Sequence, residues 1–305
     1  MSWQTAEEPE IKAPSCRAVQ AVIVPRPRDI GGFEVRRVLP SADHRSVGPF
    51  VFFDQMGPAQ LAPGRGIDVR PHPHIGLATV TYLFAGTIVH RDSLGSVQAI
   101  EPGAVNWMTA GRGIVHSERS DAELRKRRQE LYGIQIWVAL PRQHEETAPN
   151  FTHYAAKALP LIEGEGKVIR VIAGALFGST SPVKTFSRLF YAAAMLQPKA
   201  SLVLDSQHEE RAVYLLEGRI EIASQFFEPG QLLVFSSGDE ILIQANSSVR
   251  LLLFGDEALD GPRHLWWNFV SSSRERIEQA KADWKAGRFL SVPGDAEFIP
   301  LPEGA

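Results

Sequence analysis

The residues best suited to chemistry in this 305-residue chain form two short pairs. His72 and His74 are one residue apart in Pro71-His72-Pro73-His74-Ile75-Gly76, and the same spacing separates the imidazole and the carboxylate of His116-Ser117-Glu118. In extended chain, positions i and i+2 project from one face, so each pair presents both of its donors in one direction. If the two faces meet inside a barrel, three imidazole nitrogens and one carboxylate converge. Such a set suits a borderline divalent transition ion, at bond lengths of about 2.0 to 2.2 Å by analogy with zinc sites. Iron, manganese, nickel, copper and cobalt are all admissible by ligand type. A His-x-His alone is a weak signal, because short motifs recur by chance. The wider spacing says more: Gly66 precedes the pair, a strand-like run to Gly86 follows, a turn comes at Pro102-Gly103, and then His116.

The elements that would position these side chains read as strands. Runs rich in Val, Ile, Leu, Phe and Tyr, such as 79–84, 134–138, 167–172, 189–196, 212–216 and 248–254, are separated by Gly, Pro, Asp and Ser at the spacing of an all-β sandwich or barrel. Helical periodicity is confined to 274–284, where Ser272 and Glu275 stand in capping-box spacing and Gly287 offers a stop. The segment 291–305, rich in Pro and Gly, is expected to pack as extended chain or to fray. An internal echo links the halves. Tyr82-Leu83-Phe84-Ala85-Gly86 returns as Tyr214-Leu215-Leu216-Glu217-Gly218, and Glu101-Pro102-Gly103 returns as Glu228-Pro229-Gly230. Two similar β domains are therefore expected, 1–150 and 151–305, with the polar stretch 143–150 as their boundary.

Composition narrows the class. Lys and Arg total 32 against 35 Asp and Glu, a net charge of −3, so no global positive field favours nucleic acid. No apolar run approaches the ~20 residues that span a bilayer. The single Cys16 cannot form an internal disulfide, and the acidic first residues lack the charge and apolar run of a secretory segment. A soluble, cytoplasmic protein is expected.

The residues 71–76, Thr79-Val80-Thr81-Tyr82-Leu83 and above all Asn106-Trp107-Met108-Thr109-Ala110-Gly111-Arg112-Gly113-Ile114-Val115-His116-Ser117-Glu118 resemble the pirin family, a branch of the cupin superfamily. The likeness is detailed over about 48–140 and looser in the second half, at Glu217-Gly218 and Glu228-Pro229-Gly230. It implies an all-β bicupin: two tandem cupin (jelly-roll) β-barrels with a short C-terminal helix. It also implies one mononuclear ion in the first barrel, held by His72, His74, His116 and Glu118, with iron(II) the leading expectation and Mn, Ni, Cu, Co or Zn as alternatives. The activity it implies is flavonol 2,3-dioxygenation, with Glu118 accepting the proton of the substrate's 3-hydroxyl and dioxygen as co-substrate. The rival implication is a regulatory protein that docks a transcription factor or metabolic enzyme. Its sequence handle is the basic run Arg125-Lys126-Arg127-Arg128 beside Glu123 and Glu130, which reads by default as a solvated face. A metal-dependent isomerase or hydrolase rests on fold analogy alone.

One departure from the cupin pattern stands out. The glutamate that usually follows the His-x-His is replaced by Ala78 and Thr79, which is expected to leave the ligand set intact and change the groups around it. Carried through the echo, the four ligand positions fall on Leu204, Ser206, Ile243 and Ala245, so the second barrel is expected to hold no ion. His208-Glu209-Glu210 reads as a solvated strand entry. His90 faces either the cavity or solvent, Trp107 and Met108 serve as core or pocket wall, and Trp266-Trp267 as packing.

Overall fold

The computed structural model describes residues 10–12, 18–30, 33–42 and 44–302; Cys16 and the first residues, named above, lie outside the described residues. The chain is built from antiparallel strands, with one helix of length at Arg274–Lys285. The first half forms a seven-stranded sheet in the order Asn150–Tyr154, Val105–Thr109, Leu77–Ala85, Gln129–Ala139, Phe50–Leu61, Glu34–Leu39, Arg26–Asp29. Facing it is a four-stranded sheet in the order Asp68–His74, Ile114–Arg119, Ile88–Asp92, Val97–Ile100. The second half repeats the plan. Its four-stranded sheet runs Ser201–Leu204, Ile241–Ala245, Ile220–Ile222, Gln225–Phe227, and its large sheet contains Leu232–Phe235, Glu210–Glu217, Val249–Asp256 and Leu189–Leu196 in that order. The echo read from sequence is thus structural: Gly86 and Gly218 turn the chain from the large to the small sheet at the same place in each barrel, and Gly103 and Gly230 turn it back.

The two large sheets pack against each other, and the alternation of side chains explains why. Along Gln129–Ala139, Ile134, Ile136 and Val138 enter the shared core with Phe50, Phe53, Tyr191, Tyr214 and Phe254, while Gln135 and Trp137 turn into the first barrel. Phe50 meets Phe254 edge-on at 5.2 Å between ring centroids, and the Tyr214 hydroxyl donates to Gln55 Oε1 at 2.6 Å across the buried contact. A polar group buried in such a core needs this partner, since leaving it unpaired would cost roughly 1–3 kcal/mol. The second barrel is filled by its own apolar cluster, in which Leu204, Ile243 and Ala245 are buried. Three of the four positions obtained through the echo therefore lie among apolar side chains.

The chain crosses the expected boundary at residue 150 in both directions. Val19–Val24 pairs with Leu232–Phe235 in the second barrel, while Asn150–Tyr154 pairs with Val105–Thr109 in the first. The C-terminal part also returns to the first barrel: Ile75 bridges Phe269, Ile299 N donates to Pro71 O at 2.8 Å, and Ile277, Trp267, Ile299 and Leu301 pack around Ile75. The segment 291–302 is therefore packed rather than frayed. The helix starts at Arg274 as read from sequence, but its cap is the neighbouring serine. Its N-cap is Ser273, whose hydroxyl oxygen accepts from Arg276 N, because Ser272 is taken: its N–H and hydroxyl both donate to the buried Glu145. Among the described residues no helix is long and apolar enough to cross a membrane.

Candidate metal centre

Asp68–His74 is the edge strand of its sheet, which is why it tolerates Pro71 and Pro73: proline has no N–H to give a ladder. It pairs with Ile114–Arg119 so that His72 lies opposite His116 and His74 opposite Ile114. Between His116 and Glu118 the register slips, and Glu118 lies opposite Val69, so the edge strand carries one extra residue, a bulge that bends it. Gly76 then turns the chain at φ +67° beneath the returning C-terminal segment, where a Cβ would sit 2.0 Å from Val270 O. Only glycine fits there.

These constraints bring the three histidines together. Ring centroids are 4.5 Å apart for His72 and His116, and 5.0 Å for both His72–His74 and His74–His116. One ligand nitrogen from each ring lies within 4.8 Å of the other two, and all three residues are buried, so the group could hold one metal ion. Their other nitrogens are already committed. His72 Nδ1 donates to Arg70 O at 2.8 Å, His74 Nδ1 donates to Asn268 O at 3.1 Å, and His116 Nδ1 faces His90 Nδ1 at 3.4 Å. A carbonyl only accepts, so His72 and His74 carry their proton on Nδ1 and keep a bare Nε2. His116 Nε2 is buried without any hydrogen-bond partner. Such an orphaned acceptor is costly unless something fills its place, and this donor set fits a divalent transition ion.

The electrostatics agree. Burial pushes the His72 imidazolium down to about 3, the carbonyl of Arg70 opposing it only in part. Burial, then mutual repulsion with the neighbouring imidazoles, holds His74 and His116 well below the usual histidine value. All three are neutral at physiological pH, the state a metal ligand requires. Glu118 lines the same cavity but is not part of the tight group of three. Its Oε1 lies 3.1 Å from Thr81 Oγ1, and that hydroxyl also lies 2.8 Å from Gln135 Oε1. With one proton to give, Thr81 serves one of the two oxygens at a time. Burial raises the Glu118 carboxyl above its ordinary value, against the opposing pull of His90 and Thr81.

The cavity is a narrow cleft. Its wall is mostly apolar, from Val35, Phe52, Met56, Ile67, Val69, Ile88 and Trp137, with Asp54, Gln135, Glu118 and the histidines as the polar positions. Trp137 stacks on Phe52 at 3.8 Å and meets His74 edge-on at 5.1 Å. Asp54 is neutralised by Arg37 through two hydrogen bonds of 2.8 and 2.7 Å.

Comparison with known proteins settles the family. The sequence profile described as Pirin matches residues 32–138, and that described as Pirin C-terminal cupin domain matches residues 191–290. A pirin-like protein of Caulobacter vibrioides is 50% identical over 289 residues, 93% of this chain and all of that protein. The chain belongs to the pirin family. Two solved structures, each described as quercetin 2,3-dioxygenase from Acinetobacter baumannii, share its fold. One is 33% identical, with a TM-score of 0.86 and coverage of 94% of this chain and 95% of that one. The other is 28% identical, with a TM-score of 0.83 and coverage of 90% and 98%. The architecture is the bicupin of the pirins, with the short C-terminal helix.

Other sequence expectations resolve residue by residue. Where the cupin glutamate is absent, Ala78 joins the core between the sheets and Thr79 is buried on the face shared with Thr81. Trp107 is buried in the core between the sheets, Met108 packs in a separate apolar cluster with Trp137, and neither lines the cavity. His90 faces neither cavity nor solvent, being 3% exposed behind His116. The strand entry at 208–210 is solvated in part: Glu209 is exposed, while its neighbours are half-buried and paired. His208 Nδ1 pairs with Asp256 at 3.1 Å, and Glu210 Oε2 accepts from Gly48 N at 2.6 Å, tying the barrels together. The basic run is divided, since Arg125 turns inward to donate to Ser120 O and Ile67 O. The residues that sequence reasoning missed are Thr81, Gln135, Trp137 and Asn268. The first three share inward-facing i, i+2 spacing on their strands, which was a readable signal, whereas the Asn268 carbonyl carries none.

Proposed function

We propose that His72, His74 and His116, completed by Glu118, hold one divalent first-row transition ion, iron(II) first among the candidates, and that the protein is a dioxygenase cleaving flavonols such as quercetin at the 2,3 bond. The observation that carries this reading is the convergence of three neutral imidazoles, each with a bare nitrogen, on an apolar cleft that also holds a carboxylate. The 33% likeness over 94% of the chain to a structure described as quercetin 2,3-dioxygenase supports it.

When bound, an ion of this type supplies Lewis acidity and open coordination positions. The chain's residues do the rest. Glu118 is placed to accept the 3-hydroxyl proton on its carboxylate. Thr81 steadies that carboxylate when its one hydroxyl proton is turned from Gln135 Oε1. Phe52, Trp137 and the aliphatic wall accept a flat aromatic body and exclude water from the electron-rich substrate anion. Dioxygen is the oxidant, and the heterocycle opens with loss of carbon monoxide.

Purified protein loaded with iron(II) or manganese(II) and given quercetin in air should bleach the flavonol's visible absorption, and His74→Ala should not. Equal loss in the two samples removes the dioxygenase reading.

A further inference from the structure

His90 and Asp92 form a second His-x-acid pair, on Ile88–Asp92, that the reading of the site leaves unused. They sit behind His116 as a buried chain. His90 Nε2 is 2.9 Å from Asp92 Oδ2, and His90 Nδ1 is 3.4 Å from His116 Nδ1. Phe151 stacks flat on the His90 ring, at 4.1 Å and 9°, which holds the ring plane and covers that face. Asp92 has no solvent exposure, and its Oδ1 accepts from Leu94 N at 2.9 Å and Ser96 N at 3.0 Å, so the carboxylate is held in place by the turn that follows it.

With His90 neutral, hydrogen-bond bookkeeping along this chain leaves one arrangement. A carboxylate only accepts, so His90 Nε2 carries the proton. A neutral imidazole has one N–H, so His90 Nδ1 is bare and must accept. The proton of the next link then belongs to His116 Nδ1, and His116 Nε2 is left with its lone pair free. That is the buried atom with no partner. Backbone carbonyls give His72 and His74 the same tautomer. His116 alone receives it from a side-chain chain ending in a carboxylate.

We propose that Asp92 and His90 are positioning residues that lock His116 as its Nδ1–H tautomer and, through the buried carboxylate, make it the most electron-donating of the three imidazole ligands. This rests on the reading of the histidines as metal ligands. The chemistry is that of an imidazole whose distal N–H is polarised by a second group, which orients the ring and raises its basicity toward an ion.

The decisive variant is Asp92→Asn. Its Oδ1 keeps the two backbone N–H groups, so its amide N–H₂ is turned toward His90 Nε2. His90 must then accept there and carry its proton on Nδ1, and His116 is driven to the Nε2–H tautomer, which has no lone pair for the ion. Two measurements follow. Nitrogen-15 NMR of the ion-free protein should show His116 as Nδ1–H in the wild type and Nε2–H in Asp92→Asn. Chelator competition with cobalt(II) should show the dissociation constant rising by about 10- to 100-fold in Asp92→Asn. His90→Gln can donate to Asp92 and accept from His116 with its two amide atoms, so it should stay within roughly threefold of the wild type, while His90→Phe should lose about 10-fold or more. If Asp92→Asn does not fold, the Gln and Phe pair decides. The proposal is overturned if Asp92→Asn keeps the Nδ1–H tautomer and wild-type affinity, or if Gln and Phe at position 90 weaken binding equally. A wild-type protein that binds no cobalt would instead remove the metal reading, and the ion-free tautomer comparison would still decide the proposed chain.

Discussion

The ion-free protein should lose stability in mild acid, and the size of the loss follows from His72. Burial lowers its imidazolium from 6.5 to about 3, so the folded state resists a proton that the unfolded chain accepts. The sign follows from linkage: between these two values the unfolded state binds more protons, so stability is complete above about pH 6.5 and falls as pH drops toward 3. At pH 5 the unfolded imidazole is about 97% protonated and the buried one about 1%. The linkage free energy, RT ln(1 + 10^1.5), comes to about 2 kcal/mol for this one residue. His74 and His116 are shifted the same way and add to the loss. Against a typical domain stability of about 5–15 kcal/mol this is large. Urea unfolding of metal-free protein at pH 8, 7, 6 and 5 reads it directly, with His72→Asn as the control that removes about 2 kcal/mol of the difference. A transition unchanged from pH 8 to 5, or an equally acid-sensitive His72→Asn, would refute the picture of neutral buried imidazoles.

Three further outcomes test how the site is held. Gly76→Ala places a Cβ 2.0 Å from Val270 O at φ +67°, so it should destabilise by at least ~2 kcal/mol in thermal unfolding. Glu145 joins buried Arg263 at 2.8 Å and receives Ser271 and Ser272; Glu145→Ala strips the serine donors of their acceptor while Arg263 keeps Asp260 and the carbonyls of Leu140 and Gly261, and should cost about 1–3 kcal/mol in urea unfolding. Thr81→Val keeps the shape and removes the donor beside Glu118. It should slow quercetin consumption by roughly 10-fold, the worth of one hydrogen bond to a charged group, with little change in melting temperature.

What the sequence made legible and what it hid divide along physical lines. The i, i+2 spacing of His72 with His74 and of His116 with Glu118 is a local property of extended chain, and in the structure all four side chains line one cleft. The paired glycine turns at Gly86 and Gly218 likewise announced the repeat. Contacts between distant segments left no such trace. Nothing local shows that Val19–Val24 pairs with Leu232–Phe235, or that Asn268 returns to hand its carbonyl to His74. The helix cap moved from Ser272 to Ser273 for a similar reason, because a carboxylate 127 residues away claimed the earlier serine. His90 appeared isolated since its partner His116 lies 26 residues further on, although Asp92 stood at the same alternating spacing as the other pairs.

The most direct test is anomalous diffraction at the absorption edge of an ion soaked into crystals of this protein. One peak per chain, bounded by Nε2 of His72, His74 and His116 with a Glu118 oxygen beside it, is the predicted result. A map with no peak among those three rings at full soaking concentration, or with its peak elsewhere in the chain, would contradict the assignment on which the catalytic reading depends.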